Sequence, residues 1–248
     1  MEEDLSGKER ERRIKSLKSN AQSFVTAIAL PKLIDAIQTK LGHSNGWKVL
    51  LDEQDPDKQT LLFQYPQASN IGLSNTSYIQ PQVKLEFGAR GETEPYESRT
   101  IQPYVSEIFP QLFEDACVTV STLAIERSFW EKVTILHSLY HGVKQRDRMS
   151  RHYYDVYMME KSKIAEKALD NILLLEQVVR NKTLMFADTK ASYHSAKIGS
   201  LRIIPNDEQL KPLKQDYQAM SEMFMDVPPS FEEIIEGLIL LEQTLNHS

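Results

Sequence analysis

Several charged residues in this chain sit at spacings that could support chemistry. In "VKLEFGAR", Val83 to Arg90, the carboxylate of Glu86 lies between the cations of Lys84 and Arg90. Such an arrangement is either an ion-paired sheet surface or part of a charged site. "LLDEQDPDKQTLLF" brings Asp52, Glu53, Asp55 and Asp57 close together. A D-x-D pair can hold Mg²⁺, because hard cations take carboxylate oxygens. Asp-Pro-Asp between two strands is also ordinary turn chemistry, and the Gly and Glu of a calcium loop are missing, so a hairpin turn is expected. "LHSLYHG" sets His137 and His141 one helical turn apart, a spacing that can ligate zinc. No Glu follows His137 and no third ligand is evident, so satisfied or exposed histidines are expected instead. "SRHYYDVY" holds Arg151 and Asp155 at i and i+4, and "IERSFWEK" holds Arg127 and Glu131 likewise, with Lys132 beside them. Taken alone, each pair reads as a helix brace worth about 0.3–0.5 kcal/mol.

These residues need elements to carry them. Val83, Leu85 and Phe87 alternate with Lys84 and Glu86, which predicts a half-buried strand within Tyr78–Phe87. Trp47–Leu51 and Thr60–Tyr65 flank the aspartate-rich turn and read as a hairpin. Cys117–Leu123 is β-branched and alternating, a further strand. Before these strands, Ile14, Leu17, Ala21, Phe24 and Ile28 form one apolar helical stripe. Pro31 ends or kinks that helix, and a second helix runs to Leu41 with Gly42 as its cap. The basic residues between Lys8 and Lys18 alternate with Glu2, Glu3, Asp4, Glu9 and Glu11, the pattern of a solvated face.

After residue 124 the pattern is helical. Phe129, Val133, Leu136 and Tyr140 make a stripe, and Tyr154, Val156, Met158 and Met159 lie in a helix capped by Ser150. One helix is expected over Ile164–Val179, an ordered loop over Thr183–Pro205, and two closing helices near Asp207–Phe224 and Phe231–Leu245, the last capped by Ser230. Helix, strands, then helices is an α+β order. Residues 1–123 are expected to form an α/β core and residues 124–248 a helical region packed on it.

Composition narrows the class. The 248 residues are 41% hydrophobic and 26% charged, with a net charge of −6. That suits a globular protein and disfavours a bulk-electrostatic nucleic-acid binder. Cys117 is the only cysteine, so neither an intrachain disulfide nor a cysteine-rich zinc site can form. "MEEDLSGKERERR" lacks the apolar stretch of a signal peptide, and no apolar run is long enough to span a bilayer. A soluble cytoplasmic protein is expected. The sequence contains no P-loop, G-x-G-x-x-G or G-x-S-x-G, and "YHS" and "ASY" are too weak to suggest a serine nucleophile.

The strings are more specific than the patterns. "KLEFGAR", "RTIQPYVSEIFP", "ERSFWEKVTILHSLYH" and "SRHYYDVYMM", in this order, resemble the nucleotidyltransferase AbiEii/AbiGii toxin family. "LSGKERERRIKSLK" and "DYQAMSEMFMDVPPSFEEII" are similar to it as well. The resemblance implies a polymerase-β-like nucleotidyltransferase and a toxin of a type IV toxin–antitoxin or abortive-infection, phage-defence system. It implies a helix-turn-helix antitoxin, Mg²⁺, a nucleoside triphosphate and, for some relatives, an RNA acceptor. By position it makes Glu86 a metal ligand or general base, flanked by Lys84 and Arg90. It makes Lys132, Arg127 and Arg151 phosphate contacts, with Asp155 orienting the bases.

The departure from the family pattern has chemical consequences. A G-G-T-x-L-x-K-type stretch and an R-x-S-x-D-x-D stretch are expected ahead of the first strand, and neither occurs in these residues. Asp55-Pro-Asp57 does not replace them, because no Gly-rich turn precedes it. One carboxylate cannot hold two divalent ions well. The expectation is therefore a truncated transferase core, inactive alone or dependent on an N-terminal segment supplied as a separate chain. The alternative is a non-catalytic protein that keeps the fold to engage an antitoxin or a nucleic acid. A missing piece would also leave a sheet edge open and lower solubility.

Overall fold

The computed structural model describes residues 5–43, 46–66, 79–113, 116–142 and 147–247. The fold is α+β, rich in helix with a few antiparallel strands. It divides into two compact units, residues 1–91 with 219–228, and residues 92–218 with 229–248.

The first unit opens with α1, Gly7–Phe24. Ser6 caps it, its Oγ accepting from the Glu9 amide at 3.3 Å, and Glu9–Arg12, Glu9–Arg13 and Glu11–Lys15 pairs run along its solvated side. Glu2, Glu3 and Asp4 lie outside the described residues. A π-helical stretch, Val25–Ala29, joins α1 to α2, Leu30–Leu41. Pro31 accounts for it: the ring would press on the carbonyl of Ala27 in a regular helix, and the wider turn relieves that contact. The wider turn also shifts the phase of the apolar stripe. Val25 is buried, while Phe24 and Ile28, expected on the stripe, are exposed. Gly42 ends α2 at φ 76° and its amide donates to Gln38 O at 2.8 Å, as a glycine cap should.

Three antiparallel strands follow in spatial order β1 (Lys48–Leu51), β2 (Thr60–Gln64), β3 (Gln82–Glu86). The expected start of β3 at Tyr78 lies outside the described residues. β2 is central, and Thr60, Leu61 and Leu62 are buried. The aspartates between β1 and β2 build the turn. Asp52 Oδ1 accepts from the Gln54 amide at 3.0 Å, and Asp55 accepts from the Asp57 and Gln59 amides and the Thr60 hydroxyl at 2.8–2.9 Å. Burial pushes the Asp55 carboxyl up, but these donors outweigh it and hold it below the ordinary range.

The second unit begins with a ribbon, β4 (Tyr96–Ile101) paired antiparallel with β5 (Val118–Leu123), with the short helix α3 (Tyr104–Ile108) between them. The core gathers around α4, Ile125–His141, where Phe129, Trp130, Val133 and Leu136 are inaccessible. The expected stripe is there, but Arg127, Thr134 and His137 are buried too, so the helix is enclosed on most sides. Next come α5 (Ser150–Lys161), α6 (Ile164–Leu169) and α7 (Leu173–Met185). One helix was expected over Ile164–Val179, but the chain breaks at Asp170–Ile172. The Trp130 indole N–H donates to Ala168 O at 3.2 Å, which docks the end of α6 on α4.

Ser150 is not the cap of α5; it is the first helical residue. The cap is the carboxylate of Asp216 on α8 (Asp207–Ala219), which accepts from the Arg148 and Ser150 amides and the Ser150 hydroxyl at 2.7–3.1 Å. α9, Phe231–His247, starts with a reciprocal capping box between Ser230 and Glu233. Leu201 and Ile203, in the irregular segment after α7, are buried. Glu242 accepts from the Ile203 amide at 2.6 Å, and Asn246 takes both backbone groups of Leu201 at 2.9 and 3.0 Å.

Candidate functional site

The expected site residues fall into two groups, one in each unit. In the first unit Glu86 stands at the end of β3 with an exposed side chain. Lys84, two residues back on the same face, has its ammonium 3.3 Å from Glu86 and 3.5 Å from Asp52. Arg90 reaches Asp57 at 3.3 Å, and Asp57 also accepts from Lys18 at 2.8 Å. The charged face of β3 is thus a chain of ion pairs continuous with the turn. The cation shared by the Asp52 and Glu86 carboxylates is the Lys84 ammonium. These carboxylates do not fit a two-metal cradle: one is exposed, and both spend oxygens on that lysine. Among the described residues no cluster of three or more His, Cys, Asp or Glu side chains could hold a metal ion.

In the second unit, α4, α5 and α7 collect charge at their adjoining surfaces. Lys132 on α4 donates to Asp155 Oδ2 on α5 at 2.6 Å, with both side chains part-exposed. Arg151 lies one turn before Asp155 and is exposed. His152 lies between them, and its imidazole is pushed down to about 4, first by burial and then by the charges of Lys132 and Arg151. Its Nδ1 is enclosed without a hydrogen-bond partner.

Arg127 plays a different part. It is fully buried, and its guanidinium donates to Glu94 O at 2.7 Å and to the Glu92 carboxylate at 2.8 Å, with Glu131 at 3.6 Å. Glu131 is shared with Lys182 of α7 at 2.6 Å. This network ties the segment before β4 to α4 and α7 through both terminal guanidinium nitrogens, while the buried Nε is without a hydrogen-bond partner. Lys132 and Asp155 therefore meet at a part-exposed surface, with the exposed Arg151 one turn earlier on α5, whereas Arg127 is a buried brace. Sequence reasoning missed His152 and Lys182. Only the i, i+1 adjacency of His152 to Arg151 hinted at the first, and nothing local hinted at the second.

The histidine pair is structural. His137 is buried, its Nδ1 accepts from the Arg202 amide at 3.0 Å, and Nε2 faces Ser192 O and Ser195 Oγ at 3.2 Å. With Nδ1 accepting, Nε2 carries the proton, so it cannot serve as a base toward Ser195. Burial pushes this ring down to about 4 as well. The His137 and His141 rings touch at a tilt of 59°, with 4.7 Å between ring centres.

None of the described helices is long and apolar enough to cross a membrane. A family model described as nucleotidyl transferase AbiEii toxin, type IV TA system, matches residues 4–237. No curated protein and no solved structure matches the chain.

Proposed function

The chain belongs to the nucleotidyl transferase AbiEii toxin family of type IV toxin–antitoxin systems, and from that premise we propose that Lys132 and Arg151 receive the phosphates of a nucleoside triphosphate. Asp155 holds the Lys132 ammonium in place until phosphate oxygens replace its carboxylate. The observation that carries this reading is the 2.6 Å Lys132–Asp155 pair, open to solvent beside the exposed Arg151. Cations on adjoining helices suit phosphate oxygens, and the part-buried Arg127–Glu131–Lys182 network stiffens the helices that carry them. Lys84 and Arg90, expected as phosphate contacts, lie in the other unit and are engaged there by Asp52, Glu86 and Asp57. Residues 1–123 and 124–248 correspond to the transferase-like and helical parts.

We further infer that these 248 residues need more than their own carboxylates to transfer nucleotide. Family chemistry calls for divalent ions, and the Asp52 and Glu86 carboxylates both pair with the Lys84 ammonium. Mg²⁺-dependent transfer, to an RNA acceptor, requires carboxylates beyond Glu86. The biological setting we propose is the bacterial cytoplasm, with a helix-turn-helix antitoxin and a role in phage defence. A second reading, a non-catalytic binding protein, is favoured by the Lys84 ammonium lying where two carboxylates meet.

The test is an incubation of the purified chain with Mg²⁺, each labelled nucleoside triphosphate and bulk RNA. The expected result is no labelled RNA and no labelled protein. Strong incorporation that Glu86→Ala abolishes would overturn the claim of inactivity and make Glu86 a working ligand.

A further inference from the structure

The β4–β5 ribbon has only two strands, and among the described residues neither outer edge is paired. A two-stranded ribbon is marginally stable by itself, and an open edge is a template for another strand. This one is also poorly covered. Tyr96, Ile101 and Val118 are exposed on the strands, and Tyr104, Ile108 and Leu112 on the connection between them. A run of exposed apolar residues this dense marks an interaction surface.

The occupant follows from hydrogen-bond parity and charge. The Ala124 amide donates to Pro95 O at 2.9 Å, and the register pairs Glu97 with Thr122, Arg99 with Val120 and Ile101 with Val118. With a period of two, the backbone groups of Glu97, Arg99 and Ile101 point toward β5, and those of Tyr96, Ser98 and Thr100 point outward. An antiparallel partner on the β4 edge must therefore bond to residues 96, 98 and 100. For a second copy related by a two-fold axis, three registers satisfy that parity near the strand centre. Centring on Glu97 or on Arg99 sets like charges face to face. Centring on Ser98 places Glu97 of each copy opposite Arg99 of the other. That position is a non-hydrogen-bonded pair, where facing side chains come closest. Within one chain Glu97 and Arg99 already pair at 2.7 Å and remain half-exposed, so both can exchange partners.

We propose that the outer edge of β4 is a homodimer interface, in which two copies of this chain join antiparallel about Ser98 into one four-stranded sheet. The interface is isologous, as a two-fold requires, and the charge pattern of the strand is complementary to itself.

Sedimentation of the full chain at micromolar concentrations, with folding monitored by circular dichroism, tests this. The wild type is expected to be a dimer. Arg99→Glu, which sets Glu against Glu, should weaken self-association roughly tenfold or more, and Glu97→Arg should do the same. The double variant Glu97→Arg/Arg99→Glu restores complementarity and should restore the dimer. A wild type that stays monomeric at tens of micromolar would overturn the proposal. So would single variants that dimerise like the wild type, or folded single variants not rescued by the double one.

Discussion

Lys132 and Arg127 are both cations of α4, five residues apart, and their surroundings give them opposite roles. Arg127 is sealed in and held by Glu92, Glu94 and Glu131, while Lys132 holds one carboxylate at an accessible surface. Removing each should separate folding from binding. Arg127→Ala should cost about 2–4 kcal/mol in urea unfolding, because it leaves a cavity and strands the Glu94 carbonyl. Lys132→Ala should change stability by less than about 1 kcal/mol, since a part-exposed pair contributes little. Equal losses for the two would contradict this division.

The buried histidines add a pH dependence at the same scale. His137 and His152 are pushed from an ordinary 6.5 to about 4 in the folded protein, so the unfolded chain binds more protons between those values. The stability they contribute is complete above pH 6.5 and falls as pH drops toward 4, by at most about 3 kcal/mol per ring. Urea midpoints at pH 7.5 and 4.5 should therefore differ, and the difference should shrink in His137→Gln. A midpoint that does not move with pH would rule this out.

Among the elements, the helices most legible in the sequence were those whose caps and stripes are local. The Ser230–Glu233 box and the Gly42 stop are written within four residues of the helix ends, and both are in place. β4 was not foreseen as a strand. Its residues alternate, but almost all stay exposed, so no apolar face marks it. The helix break at Asp170–Ile172 and the cap of α5 were also hidden, because both depend on distant residues, Trp130 and Asp216. Asp216→Ala should therefore destabilise the second unit by about 1–2 kcal/mol although it lies 66 residues from the helix it caps. Ser150→Ala should cost less, since the Ser150 amide keeps its partner. The reverse ranking would mean that Ser150 is the true cap.

For the whole molecule, the sequence strings identified a family that periodicity alone could not, and the match over residues 4–237 agrees. The site was only partly legible. Spacing placed Arg151 and Asp155 on one helix face, but the Lys132–Asp155 contact spans 23 residues and needs α4 and α5 to pack. The aspartate-rich turn shows why a D-x-D string alone is weak evidence for metal: its oxygens are taken by backbone amides, Thr60 and lysine or arginine side chains. The most direct measurement for the central claim is nucleoside triphosphate affinity, by calorimetry, for the wild type, Lys132→Ala and Asp155→Asn. If the Lys132 ammonium is released by Asp155 to meet phosphate, Lys132→Ala should lose binding roughly tenfold or more while staying folded, and Asp155→Asn should bind a few-fold more tightly. Wild-type affinity in Lys132→Ala would contradict the account.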